Sequence, residues 1–270
     1  MDRYVVMGNP IGHSKSPQIH ALFAEQTDQA MDYERQLVAE DGFADAVAAF
    51  QEKGGRGANI TVPFKEQAWA LADRRSQRAE RAGAVNTLAF DNGERYGDNT
   101  DGAGLVRDIS VNHATPLAGR AILVIGAGGA VRGVLPALLS AQPESVRIAN
   151  RTVDKALGLA NEMSDLGPIQ GGDFAELTGQ RFDVVINATS AGLHDELPDL
   201  PDGLLASNCL CYDMVYADKP TAFVRWAGEQ GAAKAVDGLG MLVEQAAESF
   251  VLWRGVRPDT APVIEVLRTT

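Results

Sequence analysis

The segment Ile122–Gly133, ILVIGAGGAVRG, constrains this chain more than any other. An apolar strand runs directly into Gly126, Gly128 and Gly129, and the residues beyond them read as a helix. Glycines at that junction permit a tight turn and close backbone approach. The helix start then offers unpaired N–H groups and a positive dipole end to a pyrophosphate. The usual third glycine is replaced by Val131. A glycine turn alone is weak evidence, but this one heads a repeating series. SVRIANRT reads as a second strand, KALGLANEMSDL as a helix, FDVVINATSAG as a third strand and NCLCYDMVY as a fourth. TAFVRWAGEQG follows as a helix and AKAVDG as a short strand. Such alternation predicts a parallel sheet with helices on both faces, an α/β dinucleotide-binding unit.

The end of the second strand discriminates between nicotinamide cofactors. An NAD site places Asp or Glu there to hold the ribose 2′-hydroxyl. Here the strand ends in Asn150, Arg151 and Thr152, with Lys155 just beyond. A guanidinium suits a 2′-phosphate through paired donors and delocalised charge. Asp154 offsets part of that charge and Lys155 compensates. The blander reading is a solvated arginine at a strand end. We read the site as one for NADP(H). A methyltransferase with a similar glycine loop calls for an acid at this place, and the arginine counts against it.

Upstream, the texture differs. RYVVMGNP reads as a strand, SPQIHALFAEQT and GFADAVAAFQEKG as helices, and GANITVPFK as a strand halted by Pro63. A polar helical stretch is expected from about Glu66 to Arg81. GAVNTLAFDNGERYGDNTDG reads as a hairpin turning at Asp91-Asn92-Gly93. The chain closes with a long apolar-striped helix, GLGMLVEQAAESFVLWRG, and a short tail. Linkers are expected near residues 102 and 238.

The first part also carries polar groups at loop and strand ends: Ser14 and Ser16, Asn59, Thr61 and Lys65, Asn86, then Asn99 and Asp101. Hydroxyls, amides, one amine and one carboxylate suit a polyol, with Lys65 and Asp101 as a possible acid–base pair. Each residue alone has a structural reading: a helix cap, a strand polar group, a solvated charge. Net charge is −12 over 270 residues, so an anionic ligand needs a local cluster of donors. The same acidity disfavours nucleic acid and anionic membrane as partners. No stretch nears the roughly 20 apolar residues of a membrane span, and the opening lacks a secretory pattern, so a cytoplasmic location is expected. The two cysteines, Cys209 and Cys211, are too few for a disulfide framework, and no metal site is expected.

GNPIGHSKSP, NITVPFK, AGAVNT, GDNTDG, IGAGGA, NRT, INATSAG and DGLGMLVEQAA, in that order, resemble the shikimate dehydrogenase family from about Tyr4 to Ile264. The resemblance implies a substrate and catalytic domain with a mixed sheet over residues 1–102, joined by a terminal helix returning over 239–270. A Rossmann-type NADP-binding domain would span 103–238. It further implies reversible, NADPH-dependent reduction of 3-dehydroshikimate to shikimate, in aromatic amino-acid and chorismate biosynthesis, by a monomer or homodimer. Lys65 and Asp101 would be catalytic. Ser14, Ser16, Asn59, Thr61, Asn86, Asp101, Tyr216 and Gln245 would hold the substrate. Gly126, Ala127, Gly128, Gly129 and Ala130 would line the cofactor, with Asn150, Arg151, Thr152 and Lys155 beyond and Met214 and Gly238 near the nicotinamide. Two positions depart from the pattern: Lys155 stands where relatives often have arginine, and Gln77 where they often carry an acid near the cofactor. The nearest alternatives keep the fold and change the substrate, to quinate or aminoshikimate. A non-catalytic NADP-binding sensor is the alternative from another class, and an intact Lys65 and Asp101 speak against it.

Overall fold

The structure is a computed structural model that describes residues 1–189 and 196–269. It divides into two compact units, Met1–Gly104 with Val243–Thr270, and Leu105–Leu242.

The first unit begins with β1 (Asp2–Gly8), α1 (Ser16–Gln26), β2 (Met31–Leu37), α2 (Phe43–Glu52) and β3 (Gly55–Ile60). It continues with α3 (Lys65–Leu71), β4 (Arg74–Arg75), α4 (Gln77–Ala82), β5 (Thr87–Asp91) and β6 (Glu94–Asp98), and α5 (Asp101–Arg107) leads out. The sheet order is β2-β1-β3-β5-β6-β4. β1 runs parallel to both β2 and β3, whereas β5 is antiparallel to β3 and β6. The continuous apolar run Tyr4–Met7 suits a strand paired on both edges and buried. Phe43, Val47 and Phe50 recur at helical spacing on α2 and pack on Val5, Ala58, Ile60 and Leu88. Asn92 and Gly93 take positive φ at the β5–β6 turn, as the sequence led us to expect.

The expected helix from Glu66 to Arg81 is instead two helices with a two-residue strand between them. Local propensity is overruled by the hairpin alongside. Asp73 N–H donates to the Arg95 carbonyl and Ser76 N–H to that of Gly97, so Arg74-Arg75 pairs with β6. Arg75 then donates to the last carbonyls of α3, and Ser76 caps α4 by accepting from Ala79 N–H. The strand expected over GANITVPFK begins earlier, at Gly55, and ends at Ile60.

The second unit contains β7 (Ala121–Ile125), α6 (Gly129–Ser140), β8 (Ser145–Ala149), α7 (Val153–Glu162), β9 (Ile169–Gly172) and β10 (Phe182–Asn187). β11 (Leu205–Asp213), α8 (Ala222–Glu229) and β12 (Lys234–Val236) complete it. Its sheet, β12-β11-β10-β7-β8-β9, is parallel throughout, and the order reverses at β7. In such sheets ligands bind outside the carboxyl ends of the strands at the reversal. Both faces are covered, one by α6 and α7 residues such as Val134, Leu138 and Leu159, the other by Phe223 and Ala227 of α8. The end of the third predicted strand motif, Ser190–Gly192, lies outside the described residues. Cys209 and Cys211 are free and buried on β11.

The long closing helix, α9 (Leu239–Arg254), carries the chain back into the first unit, and the expected tail is itself a helix, α10 (Ala261–Thr269). Trp253 of α9 stacks on Tyr4 and donates its indole N–H to the Leu88 carbonyl across Gly57. No helix among the described residues is long and apolar enough to cross a membrane.

Candidate active site

Lys65 opens α3 and Asp101 opens α5, and each element is fixed locally. The Lys65 carbonyl accepts from Val85 N–H, while Asn99 Oδ1 accepts from Asp101 N–H. Lys65 Nζ donates to Asp101 Oδ2 at 2.6 Å. Both side chains keep some exposure, 30% for the lysine and 13% for the aspartate, so the pair can meet a ligand.

The second carboxylate oxygen, Oδ1, accepts from Asn86 Nδ2 at 2.8 Å. Asn86 sits just before β5 and is buried. Its Nδ2 also faces Thr100 Oγ1 at 2.9 Å and Gln245 Oε1, from α9, at 3.3 Å. Asn59, on β3, donates to Ser249 Oγ at 2.9 Å and accepts from Tyr33 Oη at 2.7 Å. Ser14 Oγ lies 3.2 Å from Ser16 Oγ at the start of α1. Arg35, on β2, donates to the Ser14 carbonyl and steadies that loop. Thr61 follows β3, its N–H donating to the Met7 carbonyl. Thus Lys65, Asp101, Asn86, Gln245, Asn59, Thr61, Ser14 and Ser16 all belong to the first unit, with the first five in one hydrogen-bonded group. Asn99 is structural, giving its amide to the Ala84 carbonyl and its oxygen to α5.

Sequence reading missed Thr87, Ser249 and Tyr33. Thr87 stood next to a motif asparagine, a signal within reach; Ser249 and Tyr33 carried none.

The cofactor candidates lie on the second unit. Gly126 takes φ +113° at the end of β7, a conformation that side chains disfavour, and its N–H donates to the Ala149 carbonyl. α6 then starts at Gly129 with no side-chain cap, leaving its first amides for another acceptor. A Cβ added at Gly128 or Gly129 would meet nothing within 4 Å, so the backbone there is open to a ligand. Val131, at the departure from the usual pattern, is buried in the core beneath. Arg151, Thr152 and Lys155 are exposed around the end of β8, and Asn150 donates to the Thr152 carbonyl. Neither Arg151 nor Lys155 forms an ion pair among the described residues. These features fit a phosphorylated dinucleotide.

Met214 follows β11, and Gly238 precedes α9. Gly238 approaches so closely that an added Cβ would fall 2.3 Å from the Met214 carbonyl oxygen. Tyr216, half-buried, lies two residues beyond Met214, and burial raises its phenol pKa. Asp213 anchors this corner, accepting from Asn187, Thr221 and Val215, and burial raises its pKa despite those bonds. Gln77 is the exposed first residue of α4. No His, Cys, Asp or Glu group suited to a metal is found among the described residues.

Residues 6–88 match the family model of the shikimate dehydrogenase substrate binding domain. Residues 109–194 match that of shikimate/quinate 5-dehydrogenase, and 238–268 that of the shikimate 5′-dehydrogenase C-terminal domain. The chain is 66% identical over 267 residues to the shikimate dehydrogenase (NADP(+)) of Alkalilimnicola ehrlichii, covering 99% of this chain and 98% of that one. A crystal structure of an Ael1 enzyme from Pseudomonas putida superposes with a TM-score of 0.93 at 49% identity, over 99% of this chain and 98% of that one. The shikimate 5-dehydrogenase of Thermus thermophilus, in complex with NADP(H) and shikimate, superposes with a TM-score of 0.88 at 35% identity, over 100% and 99%. With matches of this extent and identity, the chain belongs to the shikimate dehydrogenase family.

Proposed function

We propose that this chain catalyses the reversible reduction of 3-dehydroshikimate to shikimate with NADPH, and that Lys65 and Asp101 carry the proton chemistry. The observation that supports this most is the 2.6 Å contact between Lys65 Nζ and Asp101 Oδ2, with Asn86 on the other carboxylate oxygen.

When bound, NADPH supplies the hydride that reduces the C3 carbonyl. Gly126 to Ala130 would hold its pyrophosphate, Asn150 to Lys155 its 2′-phosphate, and Met214 and Gly238 would lie by the nicotinamide. Lys65, as an ammonium, hydrogen-bonds the carbonyl oxygen and gives it a proton as negative charge develops there. The amine then recovers a proton from solvent. Donors aimed at charge that forms only in the transition state help the rate most. Asp101 holds the amine in place and accepts from the neighbouring substrate hydroxyl. Ser14, Ser16, Asn59, Thr61, Asn86, Tyr216 and Gln245 would hold the remaining hydroxyls and the carboxylate. Operation in the cytoplasm, as a monomer or homodimer, is part of the same reading.

The test is the absorbance of reduced nicotinamide with shikimate or quinate and NADP⁺ or NAD⁺, in all four pairings. Fast reduction with shikimate and NADP⁺ alone is expected. Comparable rates with quinate would widen the substrate class, and no rate from folded protein that still binds NADPH would refute the assignment.

A further inference from the structure

Thr87, the first residue of β5, is fully buried, and its hydroxyl lies between the two asparagines of the site. The orientation of the two amides around it can be worked out. Asn86 Oδ1 faces the backbone N–H of Thr100 at 2.9 Å. A backbone N–H can only donate, so that end of the amide must be its oxygen, and the NH₂ end faces Asp101. The same Oδ1 receives the Thr87 hydroxyl at 2.9 Å.

One step back, Asn59 Nδ2 faces the Asn86 main-chain carbonyl at 3.3 Å, which can only accept, so that end is the NH₂. It lies 3.1 Å from Thr87 Oγ1 and 2.9 Å from Ser249 Oγ, while Oδ1 accepts from the Tyr33 hydroxyl. Thr87 and Ser249 are themselves 2.7 Å apart. When Ser249 donates to Thr87, both lone pairs of Thr87 are taken, by Ser249 and Asn59. Its single hydrogen then has one destination, Asn86 Oδ1. Ser249 also faces the Gln245 carbonyl at 3.2 Å. In the arrangement where it donates to Thr87, the donors run from Tyr33 through Asn59, Ser249, Thr87 and Asn86 to Asp101, which Lys65 grips from its other oxygen.

We propose that Thr87 is a positioning residue for the dehydrogenase reaction: its hydroxyl locks the Asn86 amide, and the amide sets the angle at which the Asp101 carboxylate holds Lys65. The inference rests on the assignment of Lys65 and Asp101 above. Without the hydroxyl, Asn86 Oδ1 keeps the Thr100 N–H and the longer, 3.2 Å contact to the Thr100 hydroxyl but loses the 2.9 Å donor from Thr87, and a side-chain amide torsion is broad and easily displaced. A displacement of about 1 Å in a reacting group can cost on the order of 10²-fold in rate.

Steady-state kinetics with shikimate and NADP⁺ on the wild type, Thr87→Val and Thr87→Ser test this. Valine keeps the shape and removes the hydroxyl, and serine keeps the hydroxyl. We expect Thr87→Val to lower kcat by about 10- to 100-fold while the KM for NADP⁺ stays within about twofold. Thr87→Ser should hold kcat within about threefold of wild type, a rescue that a packing role alone would not give. A Thr87→Val kcat within about twofold of wild type would overturn the proposal, as would a serine variant as slow as the valine one. Should the valine variant not fold, Thr87→Cys, with similar volume and a much weaker donor, carries the test. The cysteine variant should then be at least about fivefold slower than Thr87→Ser, and equal rates would overturn the proposal. A wild type that does not turn over shikimate overturns the functional assignment itself, whereas an active wild type matched by Thr87→Val overturns only the positioning role.

Discussion

His20, on α1, makes an acid-sensitivity prediction that can be worked through from its surroundings. The ring is fully buried, stacked on Tyr33 with centroids 4.2 Å apart and planes at 12°. Phe23, Phe250 and Trp253 surround it, with centroids 5.9, 6.2 and 5.3 Å away. Neither ring nitrogen has a hydrogen-bond partner among the described residues. Burial lowers the imidazole pKa from 6.5 to about 3, and the neighbouring Asn59 amide offsets only part of that. The folded protein therefore keeps His20 neutral where the unfolded chain takes up a proton. Between about pH 3 and 6.5 the unfolded state binds more protons, so stability rises with pH across that window. The contribution is complete above the unfolded pKa and is lost as the pH falls.

The slope from one such group is about 1.4 kcal/mol per pH unit, and between pH 7 and pH 4.5 it amounts to about 2.5 kcal/mol. His20→Phe removes the titration and keeps an aromatic ring in the stack. Urea unfolding followed by tryptophan fluorescence reports on this region, because Trp253 is part of the cluster. A constant offset from repacking is expected and does not enter the comparison. Acid effects of the carboxylates are common to both proteins and cancel in the difference. The wild type should lose about 2.5 kcal/mol more than His20→Phe over that interval. Parallel profiles, agreeing to within about 0.5 kcal/mol, would refute a neutral, unpartnered imidazole in this core.

Three further outcomes are expected. Lys65→Ala should lower kcat by about 10²- to 10⁴-fold with little change in shikimate KM, and a variant that keeps much of its turnover would remove Lys65 from proton transfer. Arg151→Ala should raise the KM for NADP⁺ and leave that for NAD⁺ unchanged; a cofactor preference equal to wild type would mean that the 2′-phosphate is read elsewhere. Gly238→Ala puts a methyl group 2.3 Å from the Met214 carbonyl oxygen, and the forced shift should cost about 1–3 kcal/mol in thermal unfolding, with an unchanged Tm showing that this corner yields freely.

Strong local signals made the second unit readable. The apolar run into Gly126 is followed at once by a helix, and β8, β10 and β11 carry β-branched or aromatic residues of their own, whereas β9, with the sequence IQGG, has no such run and was not expected. The first unit was less legible because its missing pieces owe their form to partners distant in sequence. β2, with the sequence MDYERQL, shows little apolar character and is held by parallel pairing with β1 along its whole length. The break after α3 is set by carbonyls of Arg95 and Gly97, about 20 residues away, which a pattern local to 66–81 does not contain. The site divides the same way. Residue types at loop ends, with the family motifs, pointed to Lys65, Asp101, Asn86 and Gln245, which hydrogen bonds join, but the bond between Thr87 and Ser249 links positions 162 apart, and no spacing rule reaches that far.

His20 and the hydroxyl chain also explain one another. A buried polar network stabilises a single arrangement only when each donor has one acceptor, and a half-satisfied network is worse than none. Asn59 Oδ1 is the first acceptor of the chain, taken by Tyr33, whose ring lies against His20. An imidazolium at His20 would seek that same oxygen, the nearby polar group that pulls its pKa upward, and would compete with Tyr33 for it. The aromatic walls that exclude water from His20 therefore do more than fill the core. By keeping the ring neutral they leave the Asn59 oxygen to Tyr33 and its amide to the Thr87 and Ser249 hydroxyls. Apolar packing on α1 and α9 and the alignment of the Lys65–Asp101 pair are in this way parts of one physical argument.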